Sequence, residues 1–332
     1  MAKRKNKKQT ERKNWWLSGF IIGFLLCLLL ILAVQTIRGE DAIAFLDDTV
    51  SKVEDWLDRL DRWLYGDSVE AEPSIAEGIL RVDIIDVGQG ESILLTTAEK
   101  AVLIDAGEND QGALVVDHLK ELGIETLDLA IGTHAHSDHI GGMDTVMAQI
   151  PTSEFWMGAM PEELVPSSKT YMDVLEQQDI GRIPYREPKV GTQYDLGSGG
   201  TLTVLGPQGK PEDLNNCSLV CRVDFGESSF LFSGDTEEAG EKAILASGAD
   251  LDVDVMVMGH HGSSTSSSSA YFKAASPAYA AISCGADNSY GHPHSAIIKK
   301  LKNANVTYRR TDLNGTITFT TDGITIDYST EK

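Results

Sequence analysis

Cysteine is too scarce in this chain to staple a fold: Cys27, Cys217, Cys221 and Cys284 are the four in 332 residues. Cys27 stands inside an apolar run, which leaves an odd number with no zinc-knuckle spacing. Cys217 and Cys221 are too close in one stretch to pair comfortably, so buried thiols are expected. Positive charge is also in short supply. Lys and Arg number 28 against 50 Asp and Glu, a formal net charge of −22. The imbalance is uneven: seven basic residues against Glu11 leave the first 13 residues at +6, so the remainder carries −28. Holding a long nucleic acid by nonspecific phosphate contacts needs clustered Lys and Arg, and the body of the chain lacks them. Metal-assisted cleavage of a single phosphodiester is not excluded by that shortage. There is no internal repeat, and the one low-complexity stretch, residues 263–269, reads as a mobile serine loop.

Formal charge is absent altogether from residues 14–37, a run of 24 that includes Phe20, Leu25, Leu28 and Leu32. As a helix rising 1.5 Å per residue it crosses a hydrocarbon layer of ~30 Å. Residues 1–13 then form a basic tail kept in the cytoplasm, Trp15 and Trp16 suit the interface, and the rest lies outside the cytoplasm at the cell membrane. A cleaved signal peptide is the rival reading, but no small-x-small site is clear near residues 35–40. Residues 41–66 place Ile43, Leu46, Val50, Val53, Leu57, Leu60 and Leu64 at steps of three and four. That stripe predicts a helical stem, either self-associating as a homodimer or docked on its own domain or the bilayer. Residues 67–78, with Pro73, read as a linker. From residue 79 to 332 apolar strand-like runs come in hairpins and also alternate with helical segments, which predicts one α+β domain of mixed sheets covered by helices. His118 falls on a helical segment as an ordinary surface residue.

The chemistry is concentrated in Thr133-His134-Ala135-His136-Ser137-Asp138-His139, followed by Gly141 and Gly142. Four potential ligands in six residues, after a short apolar strand, form half of a two-metal hydrolytic centre. His134 and His136, two apart in a turn, are expected to hold one ion; Asp138 and His139 reach a second. Imidazole with carboxylate suits zinc, manganese or iron. Downstream, Asp235 follows the apolar run 230–233, where it can bridge two metals, and His260-His261 follow the run 255–258, where one of the pair completes the second site.

That ordered set resembles the metallo-β-lactamase superfamily over roughly residues 80–327. Asp86-Val87-Gly88-Gln89-Gly90, Leu103 to Gly107, Asn216-Cys217-Ser218, Ser233-Gly234-Asp235, His260-His261-Gly262-Ser263 and Gly291-His292-Pro293-His294 look specifically like the corresponding domain of ComEC-type competence proteins. The resemblance implies a metallo-β-lactamase-like αβ/βα four-layer sandwich with a dinuclear site, two divalent ions, zinc with manganese as the alternative. It also has departures. His136 stands where the competence proteins usually carry Asp, Asn215 and Asn216 stand where many superfamily hydrolases place a His ligand, and Glu91 stands where Asp is common. The large multispanning domain is absent, so DNA transport by this chain alone is not implied.

Two ions bridged by Asp235 and a water would lower that water's pKa to about 7 for in-line attack, with Asp138 orienting the nucleophile. His292 or His294 is expected to donate a proton to the leaving group or contact phosphate, with an exposed loop role as the plain alternative. Asp86 and Asp105 read as turn or supporting residues rather than ligands. The expected activity is a membrane-anchored extracytoplasmic phosphodiesterase or nuclease acting on DNA. Cell-wall polymers such as teichoic-acid phosphodiesters are the alternative substrate, with other esters or thioesters, or a noncatalytic metal-stabilised scaffold, behind them.

Overall fold

A computed structural model of the chain describes residues 75–332. The basic tail, the apolar run, the stem and residues 67–74 of the linker lie outside the described residues. Among the described residues no helix is long and apolar enough to cross a membrane.

Two sheets organise the domain. The first has eight strands in the order β15 (Ile326–Thr330), β14 (Ile317–Thr321), β1 (Leu80–Ile84), β2 (Ile93–Thr96), β3 (Ala101–Ile104), β4 (Leu129–Gly132), β5 (Phe155–Met157) and β6 (Tyr185–Arg186). The second has seven: β13 (Thr307–Arg310), β12 (Tyr279–Ile282), β11 (Val255–Val257), β10 (Ser228–Phe232), β9 (Val220–Phe225), β8 (Gly200–Gly206) and β7 (Gln193–Gly197). Period-two alternation divides the apolar side chains between layers. In β2, Ile93 and Leu95 join residues such as Val223, Phe230 and Val257 of the opposite sheet in a shared core. Leu94 points the other way, into a second core with helix residues Val115, Leu119, Met143 and Val146. Across the molecule, Leu231 and Met256 pack on Ile244, Tyr271 and Leu301 in a third. The result is helix, sheet, sheet, helix: the α+β four-layer sandwich expected.

Each sheet is half antiparallel and half parallel. Strands β3 to β6 are parallel, and so are β10 to β13. Parallel neighbours need crossovers, supplied by helices that include α1 (Gly112–Glu121), α2 (Ser137–Ile140), α3 (Met143–Gln149), α4 (Lys169–Gly181), α5 (Glu238–Ser247), α6 (Ser269–Ala275) and α7 (Ser295–Asn303). Loops leaving the carboxyl ends of parallel strands are where such sheets gather ligands. Here those loops carry Asp105, His134, Asp235, His261 and Ser283.

Two expectations are corrected. The serine stretch 263–269 is pinned, not mobile: Ser266 and Ser267 are buried, the Glu241 carboxylate accepts from the Ser267 and Ser268 backbone N–H groups, and Ser266 Oγ donates to Thr236 O at 2.8 Å. His118 is half-buried rather than a free surface residue, its Nε2 standing 3.7 Å from the buried Asp83 carboxylate.

Candidate metal centre

The turn after β4 reverses into α2 and throws its side chains to two places. Gly141 makes that turn fit: a Cβ there would lie 2.3 Å from the Asn109 backbone nitrogen. His134 Nε2 and His136 Nδ1 are 2.9 Å apart, and His134 Nε2 is 3.8 Å from Asp235 Oδ2. The other carboxylate oxygen, Asp235 Oδ1, is 3.1 Å from His139 Nε2 and 3.6 Å from His261 Nε2. Asp138 Oδ2 closes the second group at 3.2 Å from His261 Nε2. Two ligand clusters therefore share Asp235: His134, His136 and Asp235 in one, Asp138, His139, Asp235 and His261 in the other.

The outward ring nitrogens show what the inward ones present. His139 Nδ1 faces Asp105 Oδ2 at 2.6 Å, and His261 Nδ1 faces the Ser283 carbonyl at 3.1 Å. Carboxylate and carbonyl only accept, so both Nδ1 atoms carry hydrogen and both neutral rings turn an Nε2 lone pair inward. Those lone pairs are 3.3 Å apart, beside an Asp235 Oδ1 that is buried without a hydrogen-bond partner. Converging acceptors with nothing to donate between them fit a cation, and the imidazole and carboxylate set suits zinc or a neighbouring divalent ion. His134 follows the same logic. Thr133 Oγ1 donates to Asp105 Oδ2 at 2.7 Å, leaving its lone pairs, with Ser218 Oγ, to face His134 Nδ1 at 3.2 Å. Sequence reasoning missed Thr133 and Ser218, because a hydroxyl bound to the back of an imidazole leaves no periodic signal.

Electrostatics mark the same cluster. Without metal the same rings can take up protons: burial would raise Asp235, but His139 and His261 in protonated form hold its carboxyl well below the ordinary range. Asp138 is likewise driven down against burial, by its hydrogen bond to His261 and the charge of His139. Burial opposes charge on His139 and His261 too, yet Asp235 and its neighbours raise both rings. His134 goes the other way, pushed well below its usual value by burial and by His139. Such opposed shifts in one buried group are typical of a functional site.

Larger clefts exist, of about 720 and 770 Å³, but neither contains a ligand cluster. The cluster opens into a smaller cavity of about 280 Å³ walled by Gln89, Asp138, Asn215, His260 and His292.

A model of the metallo-β-lactamase superfamily matches residues 85–286, more than half of the chain. The chain belongs to the metallo-β-lactamase superfamily. Competence protein ComA of Neisseria gonorrhoeae is 31% identical over 248 residues, 74% of this chain and 33% of its own length. ComE operon protein 3 of Bacillus subtilis is 29% identical over 259 residues, 72% of this chain and 32% of that protein. The chain thus spans about a third of the length of these relatives. Among solved structures, the metallo-β-lactamase fold protein YhfI from Bacillus subtilis is 12% identical, with a TM-score of 0.46 over 70% of this chain and 96% of its own.

Within this metallo-β-lactamase domain the remaining candidates divide by position. Of the His260/His261 pair, His261 enters the second cluster. His260 Nε2 stands 3.4 Å from Asp235 Oδ2, while its Nδ1 meets Glu237 Oε1 and Thr265 Oγ1 at 3.4 and 3.2 Å, so it lies on the rim. Both residues adopt left-handed backbone, φ 53 and 56, a strain of about 1–3 kcal/mol each that aims two neighbouring rings apart. His292 is buried between Tyr290 and His261, with ring centroids 5.6 and 6.1 Å away. Burial and the nearby histidines push it down to about 4. His294 Nδ1 accepts from Ser264 N at 2.8 Å, and the residue is not part of the cavity wall. Asp105 supports His139 rather than joining either shared cluster, and Asp86 accepts from Gly88 N at 3.3 Å in a turn. No histidine occupies the position of Asn215, whose buried Oδ1 has no partner. Glu91 is buried against the second cluster, and desolvation raises its carboxyl to about 7.

Proposed function

We propose that this domain is a dinuclear metal-dependent phosphodiesterase. The observation that carries the reading is the pair of ligand clusters sharing Asp235, open to a cavity on one side. One of the relatives is a competence protein by name, which favours a nucleic-acid phosphodiester. Two divalent ions held by these ligand residues would lower the pKa of a bound water and draw negative charge from a phosphoryl oxygen. Asp138, its side chain a quarter exposed and its carboxyl unprotonated, orients the attacking water and accepts its proton. His292, held neutral at pH 7 by its low pKa, contacts the substrate rather than protonating it.

A second reading has its own support. The cavity wall contains no Lys or Arg, and the chain beyond residue 13 carries −28, so a polyanion is not gripped along its length. Short wall-polymer phosphodiesters suit that acidic surface better than long DNA. We further assign residues 14–37 as a membrane anchor and residues 41–66 as a self-associating stem, which puts the domain outside the cytoplasm. Full-length protein loaded with zinc or manganese is to be assayed on single-stranded DNA, duplex DNA and a glycerol-phosphate polymer. Hydrolysis of none of them, with full metal content, would sink the phosphodiesterase assignment. An unchanged oligomeric state after removal of residues 41–66 would remove the stem dimer.

A further inference from the structure

We infer that Gln89 is a catalytic residue that contacts the substrate, its Nε2 donating a hydrogen bond to the non-bridging phosphoryl oxygen on which charge builds. The identity of that oxyanion rests on the phosphodiesterase reading; the donor rests on geometry alone. Gln89 walls the cavity together with Asp138 and Asp235. Its Oε1 accepts from the Gly285 backbone N–H at 3.1 Å. A backbone N–H can only donate, so the atom facing it is the oxygen and the free end of the amide is the NH2 group. That Nε2 is buried and has no partner. A buried donor that the protein itself leaves unpaired costs stability, and beside this cavity a partner can come from what the cavity binds.

The residue is held firmly by its neighbours. Gly285 packs so tightly that a Cβ on it would fall 2.6 Å from the Gln89 backbone nitrogen. On the same turn Ser283 Oγ donates to Gly90 O at 2.8 Å, and Glu91 N donates to Asp138 O at 3.0 Å. The turn carrying Gln89 is therefore stapled to the loop after β12 on one side and to the Asp138 loop on the other. Such a prealigned donor needs no reorganisation as the transition state forms. Imidazoles aside, the other side-chain nitrogen in the cavity wall is Asn215 Nδ2, and it is engaged with Glu237 Oε1 at 3.4 Å. With no Lys or Arg in the wall, Gln89 is the free amide donor there. In the step it serves, the water oxygen bonds to phosphorus and the bond to the leaving alkoxide breaks. One water proton ends on the alkoxide, the other on the new phosphate monoester, and Gln89 exchanges none.

The test uses zinc-loaded full-length protein and two variants. Gln89→Met keeps the length without a donor, and Gln89→Glu keeps the acceptor toward Gly285. Turnover of methyl p-nitrophenyl phosphate, zinc content, and calorimetric binding of inorganic phosphate are measured on each. The expected result is kcat lower by about 10²-fold with KM little changed, phosphate binding weaker by roughly tenfold, and zinc retained. Wild-type kcat and phosphate affinity in Gln89→Met would overturn the inference and leave Gln89 a packing residue. If Gln89→Met loses zinc or folds poorly, Gln89→Glu decides on the same readings. A wild-type protein that binds phosphate but hydrolyses no diester defeats the phosphodiesterase reading, while the phosphate affinities still judge Gln89. Absence of phosphate binding by the wild type overturns the inference as well.

Discussion

His139 Nδ1 lies 2.6 Å from Asp105 Oδ2, two side chains 34 positions apart and both fully buried. That contact holds the hydrogen on Nδ1 and turns the Nε2 lone pair toward Asp235. Asp105→Asn is therefore expected to weaken metal binding at the second cluster by about 10–100-fold. The fold should survive, since Asp105 sits at φ 59, a conformation Asn tolerates. Competition titration against a chromophoric chelator reads the change. Unchanged affinity would mean that the carboxylate does not set the tautomer.

Asp235 touches both clusters, whereas Asp138 belongs to one. Asp235→Ala should lower the occupancy of both ions, and Asp138→Ala that of one while abolishing hydrolysis. Elemental analysis of the purified variants separates the two outcomes. Equal losses in both variants would contradict the shared-carboxylate geometry.

Removal of metal makes the pH dependence of stability diagnostic. Burial raises Glu91 to about 7, and Asp235 raises His139 and His261 against the effect of burial, so all three bind protons more tightly folded than unfolded. Groups of that kind contribute stability at low pH that is lost as pH rises, for Glu91 between 4.5 and about 7 and for the two histidines from 6.5 upward. Asp138 and Asp235 are lowered instead, so their contribution is present above the usual carboxylate range and lost below about pH 4. The metal-free protein should thus be most stable in mild acid. Zinc should reverse the slope above it, because bound imidazoles must shed their protons. Glu91→Gln should flatten the metal-free slope. Urea midpoints across that range, with and without chelator, are the measurement.

Glu241 ties α5 to the serine loop through two backbone N–H groups, and the Lys300 ammonium donates to Ser267 O beside it. Glu241→Ala leaves buried donors unpaired and should cost about 2–4 kcal/mol in chemical denaturation. Hydrogen exchange at Ser267 and Ser268 should accelerate with it. Protection equal to wild type would show that the loop is held by other contacts.

The ligand chemistry was legible without a structure. Three histidines and an aspartate within six residues, and acid or imidazole directly after apolar strands, are local patterns that strand geometry alone aims at one sheet end. Mixed sheets covered by helices were legible for a related reason, hairpin-like strand runs that alternate with helical segments; the four-layer sandwich was implied by the family resemblance. Short or exposed elements were not, since β5 has three residues, β6 has two, and the partly exposed polar edge strand β15 provides little apolar contrast. Tertiary structure alone decided that His261 rather than His260 enters the second cluster, that the serine stretch is pinned, and that Gln89 presents its NH2 group. Each of these depends on a partner brought from far along the chain, as Ser283 meets Gly90 across 193 positions. A side chain's type is set by its codon, but its tautomer, orientation and free hydrogen-bonding atoms are set by what folding places beside it.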